Sequence, residues 1–150
     1  MTTGSTLEDF VNQRTLAVVG VSRRGQKFGN MAYRELKTCG YRLFPVHPQA
    51  ETIEGDRAYP DFKSLPEKVD GVLVIVPPEQ AEKVVREAVK AGIKRLWLQQ
   101  GAESEAAIGH CQENNASVVY GECILMFARN TAWYHRAHRW VWGLLGKLPR

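Results

Sequence analysis

The sequence predicts an α/β fold: a doubly wound, mainly parallel sheet of about five strands with helices on both faces. Three observations point there. Short runs of strand-forming residues alternate with longer amphipathic segments from residue 15 to residue 120. The strand runs are apolar on both sides rather than alternating, as parallel strands covered on two faces require. Glycine, proline or a helix-capping residue stands at most of the junctions, and the connections are short.

The elements follow in order. Ser5-Thr6-Leu7-Glu8 has the form of a capping box and predicts a short helix to about residue 13. Residues 15–21, ending Val19-Gly20-Val21, predict the first strand, and a polar loop occupies 22–29. Asn30 is expected to cap a helix reaching Cys39, with Met31, Leu36 and Cys39 facing inward and Gly40 as its stop. Residues 41–46 read as a second strand whose Pro45 suits an irregular or edge position. Proline-rich 47–68 predicts at most a short strand near Ala58 and one helical turn near Lys63. Residues 71–76 form the next strand; Pro78 opens a helix to Ala91, with Gly92 after it and Val84, Val85, Ala88 and Ala91 as its apolar stripe. Residues 94–98 predict a strand, Glu103 or Ser104 opens a helix to about Asn114, and 117–120 form a last short strand. No internal repeat or linker divides this span.

Charge separates a body from a tail. Residues 1–128 hold 15 Lys/Arg against 16 Asp/Glu, whereas 129–150 hold five Lys/Arg and no acid. The chain therefore reads as one domain over 1–128 and a basic, aromatic-rich helical tail over 129–150. A near-neutral body excludes a broad nucleic-acid surface, which needs basic residues over a whole face. The apolar run 72–76, like every other in the chain, is far short of the ~20 residues of a membrane span. Residues 1–9 are polar and acidic and do not read as a signal peptide. Cys39, Cys111 and Cys123 are far apart and odd in number, which fits a reducing cytoplasm better than a disulfide framework.

Right-handed crossovers between such strands give a Rossmann-like fold, whose ligands sit at the C-terminal ends of the strands near the topological switch point. The turns after Val21, Val46, Val76 and Leu98 are therefore the places to look. The first reads Gly20-Val21-Ser22-Arg23-Arg24-Gly25-Gln26-Lys27-Phe28-Gly29-Asn30. Gly20 permits a tight turn, and the next helix points its free N–H groups and positive dipole end at the loop. Arg23, Arg24 and Lys27 add three cations, and Ser22 adds a hydroxyl donor, a set that suits a polyphosphate. The bland alternative is a solvated basic loop. Gly20-x-Ser22-x-x-Gly25 also lacks the second glycine of a dinucleotide fingerprint. Where an NAD site places an acid after its second strand, this chain has Val46-His47-Pro48, with no acid before Glu51. That disfavours NAD and allows a nucleotide phosphorylated on its ribose, as NADP and coenzyme A (CoA) are.

Taken with these turns, further segments make the chain resemble a known family. They are Ala17-Val18-Val19-Gly20-Val21-Ser22, Lys27-Phe28-Gly29-Asn30, Phe44-Pro45-Val46-His47-Pro48, Ile53-Glu54-Gly55, Val76-Pro77-Pro78, the segment from Trp97 through Gln99-Gln100-Gly101 to Ser104, and Cys123-Ile124. In order and spacing these resemble the small stand-alone CoA-binding proteins with a Rossmann fold, whose domain type also forms the nucleotide-binding part of the α subunit of succinyl-CoA synthetase. The resemblance covers roughly residues 15–125. It implies that the 20–30 loop, with Gly20, Val21, Ser22, Arg23, Lys27, Phe28 and Asn30, holds the CoA diphosphate. It implies adenine near Val46, His47 and Pro48, and pantetheine passing Val76 and Pro77 toward Gln99 and Gly101. A ribose 3′-phosphate would then need a cation, with Arg23, Arg24, Lys27 and Arg42 as candidates. The chain departs from the family in having His47 where asparagine is usual, and the segment after Met126 lies outside the resemblance.

Other groups were weighed for chemistry. His135 and His138 stand three apart but lack a third ligand of matching type nearby, and His110 reads as solvated. The phosphorylated histidine of the synthetase lies in another domain, so its ligase chemistry does not carry over. Cys39 and Cys111 read as packing residues; Cys123 would meet the CoA thiol if exposed. Glu103 reads as a turn residue rather than a base, and no catalytic constellation emerges. In the tail, Trp133, Trp140, Val141, Leu144, Leu145 and Leu148 share a helical face, with Trp142 off it. Docking on the body or on another subunit is the preferred reading, and an interfacial membrane helix the alternative. The expectation is a cytoplasmic, non-catalytic protein that binds CoA or acyl-CoA, with no nucleic-acid partner. The alternatives are a small NADP-dependent enzyme, the nucleotide-binding subunit of an acyl-CoA ligase, or an interaction protein with a vestigial site.

Overall fold

The structure is a computed structural model and describes residues 4–128. The elements run α1 (Gly4–Val11), β1 (Thr15–Val19), α2 (Phe28–Thr38), β2 (Arg42–Val46), β3 (Thr52–Ile53), β4 (Asp56–Arg57), β5 (Gly71–Val74), α3 (Pro78–Lys90), β6 (Arg95–Gln99), α4 (Glu105–Glu113) and β7 (Ser117–Glu122). Two 3-10 turns, Phe62–Ser64 and Ile124–Met126, complete the set.

Five strands form one sheet in the order β2-β1-β5-β6-β7, every pair parallel. The α/β, doubly wound, Rossmann-like fold expected from the sequence is the fold observed. β3 and β4 form a separate small antiparallel hairpin. Pro45 lies on β2, at the end of the sheet order, where its missing N–H disrupts no inner ladder. Residue 59 still covers part of that edge: the Tyr59 N–H donates to the Pro45 carbonyl and the His47 N–H to the Tyr59 carbonyl, both at 2.9 Å.

Strand alternation divides the core into two layers. Leu16, Val18, Leu73, Trp97 and Val119 face α1, α2 and the 124–126 turn. Ala17, Val72, Val74, Leu96, Leu98 and Val118 face α3 and α4. Trp97 anchors the first layer between Phe10 and Phe127, with ring centroids 5.4 and 6.2 Å away. Its indole N–H donates to the Glu122 carbonyl at 3.1 Å, so the one polar atom of this buried side chain is satisfied.

Four local expectations are corrected. Asn30 does not cap α2: Lys27 holds that position, and Asn30 lies buried inside the first turn. With the helix starting earlier, Ala32, Tyr33 and Leu36 point inward and Met31 is exposed. The stripe of α3 is Ala81, Val85 and Ala88 with Val84 partly buried against the same layer, while Ala91 is exposed beyond the helix end. β7 runs to Glu122, two residues further than expected, through a register shift against Leu98 and Gln99 on β6.

Candidate functional site

The sheet order reverses between β1 and β5. The chain goes from β1 outward to β2, then crosses back and continues through β5, β6 and β7. The carboxyl ends of β1 and β5 therefore bound the switch point, where ligands of such sheets bind. The two ends are in intimate contact. The Ile75 N–H donates to the Val19 carbonyl at 2.7 Å. Gly20 has φ +111°, and a β-carbon on it would fall 1.9 Å from the Ile75 carbonyl oxygen, so only glycine fits.

Gly29, in the first turn of α2, packs directly on this turn: a β-carbon there would lie 2.6 Å from the Gly20 carbonyl oxygen. The close approach of helix to strand thus falls to Gly29. Gly25, the third residue of the fingerprint-like spacing, instead makes a positive-φ bend in the loop. At the helix start, Lys27 supplies no side-chain acceptor to the first-turn amides. Ser104 does so for α4, accepting from the Ala107 N–H at 3.1 Å. The start of α2 thus leaves N–H groups for an outside anion, as does the start of α3 behind Pro77, which also offers no side-chain acceptor.

The loop 22–27 is shaped by a side chain below it. Asn30 accepts from the Ser22 N–H at 3.1 Å and donates back to the Ser22 carbonyl at 2.7 Å, holding that residue like a neighbouring strand would. Its Nδ2 also lies 3.4 Å from Glu54 Oε2. Glu54, at φ +49° in the β3–β4 hairpin, pairs with Arg34 at 2.7 Å. Asp56 of the same hairpin accepts from the Tyr33 hydroxyl at 2.5 Å and pairs with Lys37 at 2.8 Å. Burial and Asp56 push the Tyr33 hydroxyl far above its usual range. Burial works against the Asp56 charge, but hydrogen bonds from Lys37 and Tyr33 outweigh it and hold the carboxyl below its ordinary value. Arg34 and Lys37 are thereby neutralised by the hairpin, whereas Arg23, Arg24 and Lys27 are exposed and in no ion pair with the described residues. Ser22 Oγ accepts from the Arg24 N–H at 3.1 Å, leaving its hydroxyl hydrogen to donate outward.

His47 ends β2 beside this loop. Its Nδ1 accepts from the N–H groups of Gln49 and Ala50, both at 3.0 Å. Burial first, and the Arg23 charge second, hold its pKa below the ordinary value. Arg42, the fourth cation considered for a ribose phosphate, is at the other end of β2, paired with Glu67 at 2.8 Å. Five steps along the chain, at about 3.3 Å each, separate it from His47, which removes it from the site.

The remaining expected residues also lie at strand ends. Val46 is buried in the core, with Pro48 exposed after it. Val76 is half-buried and Pro77 exposed at the start of α3. Gln99 is buried and its Oε1 accepts from the Ile124 N–H at 3.0 Å. The Gly101 N–H donates to Glu103 at 3.0 Å, which fits Glu103 as a turn residue. Phe28 is among the few large exposed apolar side chains, at 42%. Sequence reasoning assigned no role to Glu54, although it stands in the quoted Ile53-Glu54-Gly55. It also missed Glu122, a half-buried carboxyl at the end of β7 whose pKa burial raises. Cys39 and Cys111 are buried as expected and Cys123 is half-exposed. No group among the described residues could hold a metal ion, and His135 and His138 lie outside them. No helix of the described residues is long and apolar enough to cross a membrane; the tail residues from 129 onward lie outside.

Known proteins carry the same pattern. Residues 14–129 match the family model of the CoA binding domain. The chain belongs to that family. An acetate–CoA ligase (ADP-forming) II subunit alpha from Pyrococcus furiosus is 32% identical over 93 residues, 61% of this chain. The chain spans about a fifth of that subunit, 20% of its length, so the likeness is to one segment of it. The uncharacterized protein YneT of Bacillus subtilis is closer in size: 29% identity over 111 residues covers 74% of this chain and 82% of YneT. Among solved structures, a conserved hypothetical protein from Pyrococcus furiosus superposes with a TM-score of 0.70 at 38% identity, covering 74% of this chain and 96% of its own.

Proposed function

We propose that this CoA-binding-domain protein holds CoA or an acyl-CoA across the C-terminal ends of its parallel strands, as a binding module that performs no chemistry on it. The single observation that carries this reading is the β1–α2 junction. There an uncapped helix start, two glycines in forced contact and three unpaired cations converge at the switch point of the sheet. That junction suits the diphosphate. The carboxyl ends of the five strands span about 19 Å at the usual strand spacing. An elongated ligand can thus run from adenosine at His47, past Val76 and Pro77, to its thiol end near Gln99, Gly101 and Cys123. The setting is a reducing cytoplasm, consistent with three cysteines that are all thiols.

The test is thermal protection by CoA, dephospho-CoA, NADP and NAD in one series. CoA is expected to raise Tm most, and Lys27→Ala or Ser22→Ala to reduce that rise. Equal protection of wild type and both variants would overturn the assigned loop. NADP protecting better than CoA would favour a small NADP-dependent enzyme instead. The ligase likeness supports one further reading, in which the chain serves as the nucleotide-binding part of a larger assembly. A stoichiometric protein partner in native mass spectra would favour it.

A further inference from the structure

We propose that Gln99 and Glu122, at the carboxyl ends of β6 and β7, form a pocket for the acyl end of the ligand, which takes an acyl group carrying a hydroxyl donor and refuses one carrying a second carboxylate. The inference rests on the CoA reading, since it needs a thioester at this end of the sheet, and it names the acyl class that the reading leaves open. Val119 lies opposite Trp97 and Tyr120 opposite Leu98, but Glu122 rather than Gly121 lies opposite Gln99. The extra residue is absorbed at Gly121, which has φ +77°. Without that shift a glycine would stand across from Gln99; with it a carboxylate does. Partners in a parallel ladder share a face, so the Gln99 and Glu122 side chains leave the sheet on the same side.

Both side chains keep hydrogen-bonding capacity that the fold does not use. Gln99 is only 4% exposed. Its Oε1 accepts from the Ile124 N–H at 3.0 Å, which pins the carboxamide against the turn after β7, while its Nε2 has no partner among the described residues. A buried amide N–H left in that state is costly, and a ligand oxygen that accepts from it recovers the loss. Glu122 is half-buried, and its carboxylate is in no ion pair with the described residues. Burial raises its pKa, as it does for a carboxyl that gives up water and gains no partner. The residue is held in place through its backbone carbonyl, which accepts from the Trp97 indole at 3.1 Å and the Gln100 N–H at 3.2 Å. Glu103 adds a second carboxylate at the end of β6, on the Gly101 N–H at 3.0 Å.

An N–H donor beside a carboxylate matches a thioester oxygen and a hydroxyl a few atoms along the acyl chain. The same pair meets an acyl carboxylate with like charge. The loop cations stand at the turn after β1, two strands from β6 and about 10 Å away at the usual strand spacing. The crest of the sheet is therefore polarised: positive where the diphosphate is expected, negative where the acyl group ends.

The test is isothermal titration of the full chain with CoA, butyryl-CoA, 3-hydroxybutyryl-CoA and succinyl-CoA, whose acyl chains are of equal length. Wild type is expected to bind the hydroxyacyl form about tenfold more tightly than the butyryl form, the worth of one hydrogen bond to a charged group, and succinyl-CoA more weakly than either. Glu122→Gln keeps an acceptor and removes the charge. It should cut the hydroxyl preference by about fivefold and bring succinyl-CoA to the level of butyryl-CoA. Gln99→Glu keeps the acceptor for the Ile124 N–H and removes the Nε2 donor, so it should weaken every acyl form relative to free CoA. Should it fail to fold, the half-buried Glu122→Gln still decides. Lys27→Ala should weaken all the ligands and leave their ratios alone. Succinyl-CoA bound as tightly as butyryl-CoA by wild type, or ratios unchanged in Glu122→Gln, would overturn the pocket and leave the CoA reading standing. Binding of free CoA with every acyl form refused would do the same. Failure of all the compounds to bind would overturn both.

Discussion

Gly29 sits so tightly over Gly20 that any β-carbon on it would come within 2.6 Å of the Gly20 carbonyl oxygen. The obstacle is backbone at the end of a central strand, not the tip of a flexible side chain, so little can give way. Gly29→Ala should therefore cost about 1–3 kcal/mol in unfolding free energy, the usual penalty of overpacking. It should also tilt the start of α2 away from the loop and weaken CoA by more than the stability loss explains. Urea denaturation and titration calorimetry on the same samples separate the two effects.

Asn30 gives a second handle on the loop. Its amide satisfies both polar groups of the Ser22 backbone. Asn30→Ala leaves both of these backbone groups without that partner. A loss of about 1–3 kcal/mol is expected for each group that water cannot reach. Glu54 reaches the loop through Asn30 and, by way of Arg34, through the Gly25 carbonyl, so Glu54→Gln should weaken CoA in wild type and by a smaller step in the Asn30→Ala background. Additive losses in a double-mutant cycle would show that the two act separately.

The strands, the helices and the loop that matters were legible because their signals are local. Val72-Leu73-Val74 is apolar on both faces wherever it sits, and Gly20 before three cations marks a strand-to-helix turn without any tertiary knowledge. The errors arose where distant residues decided the outcome. Asn30 has the composition of a helix cap, but Ser22, eight residues back, takes its amide and draws it inside the helix. Met31 then turns outward. Glu54 acts across 24 residues and from a positive φ, and neither leaves a trace in local sequence. Arg42 was a plausible phosphate partner by proximity to His47 in sequence, yet strand direction puts it at the opposite end of the sheet.

The His47 ring couples stability to pH with a definite sign. In the unfolded chain the imidazole takes a proton near its ordinary value of 6.5, and in the folded chain only at lower pH, because of burial and Arg23. Between the two values the unfolded state holds more protons, so stability falls as pH drops below 6.5 and the loss is complete below the folded value. Nδ1 cannot accept the proton without losing both amide donors. Melting curves from pH 7.5 to 5 should show this decline in wild type, and His47→Asn should lack that component.

The hairpin that braces the loop has an acid limit of its own. Asp56 ionises below its ordinary value of 3.8 because Lys37 and Tyr33 hydrogen bonds outweigh the cost of burial. Its contribution is full above 3.8 and is lost as pH falls through the folded value. Tyr33→Phe removes one of these bonds. It should cost about 1 kcal/mol near neutral pH, since Asp56 is partly open to solvent. It should also move the acid unfolding limb to higher pH. An acid limb identical to wild type would mean that Lys37 alone holds the carboxylate.

Thiol chemistry reads the other end of the sheet. Cys111, on the buried face of α4, is fully enclosed, and burial pushes its thiol up to about 11, so little thiolate is present at pH 8. Cys123, half-exposed after β7, is the thiol that a soluble disulfide reagent reaches first, ahead of buried Cys39. In the native protein one fast-reacting group should appear, and mass spectrometry should place it on Cys123. If pantetheine runs from Val76 toward Gln99, saturating CoA covers this position, and the fast rate should fall several-fold. The control is adenosine 3′,5′-bisphosphate, which carries the nucleotide end without the pantetheine arm. It should leave the rate unchanged, and equal protection by both compounds would place the thiol end of the ligand elsewhere.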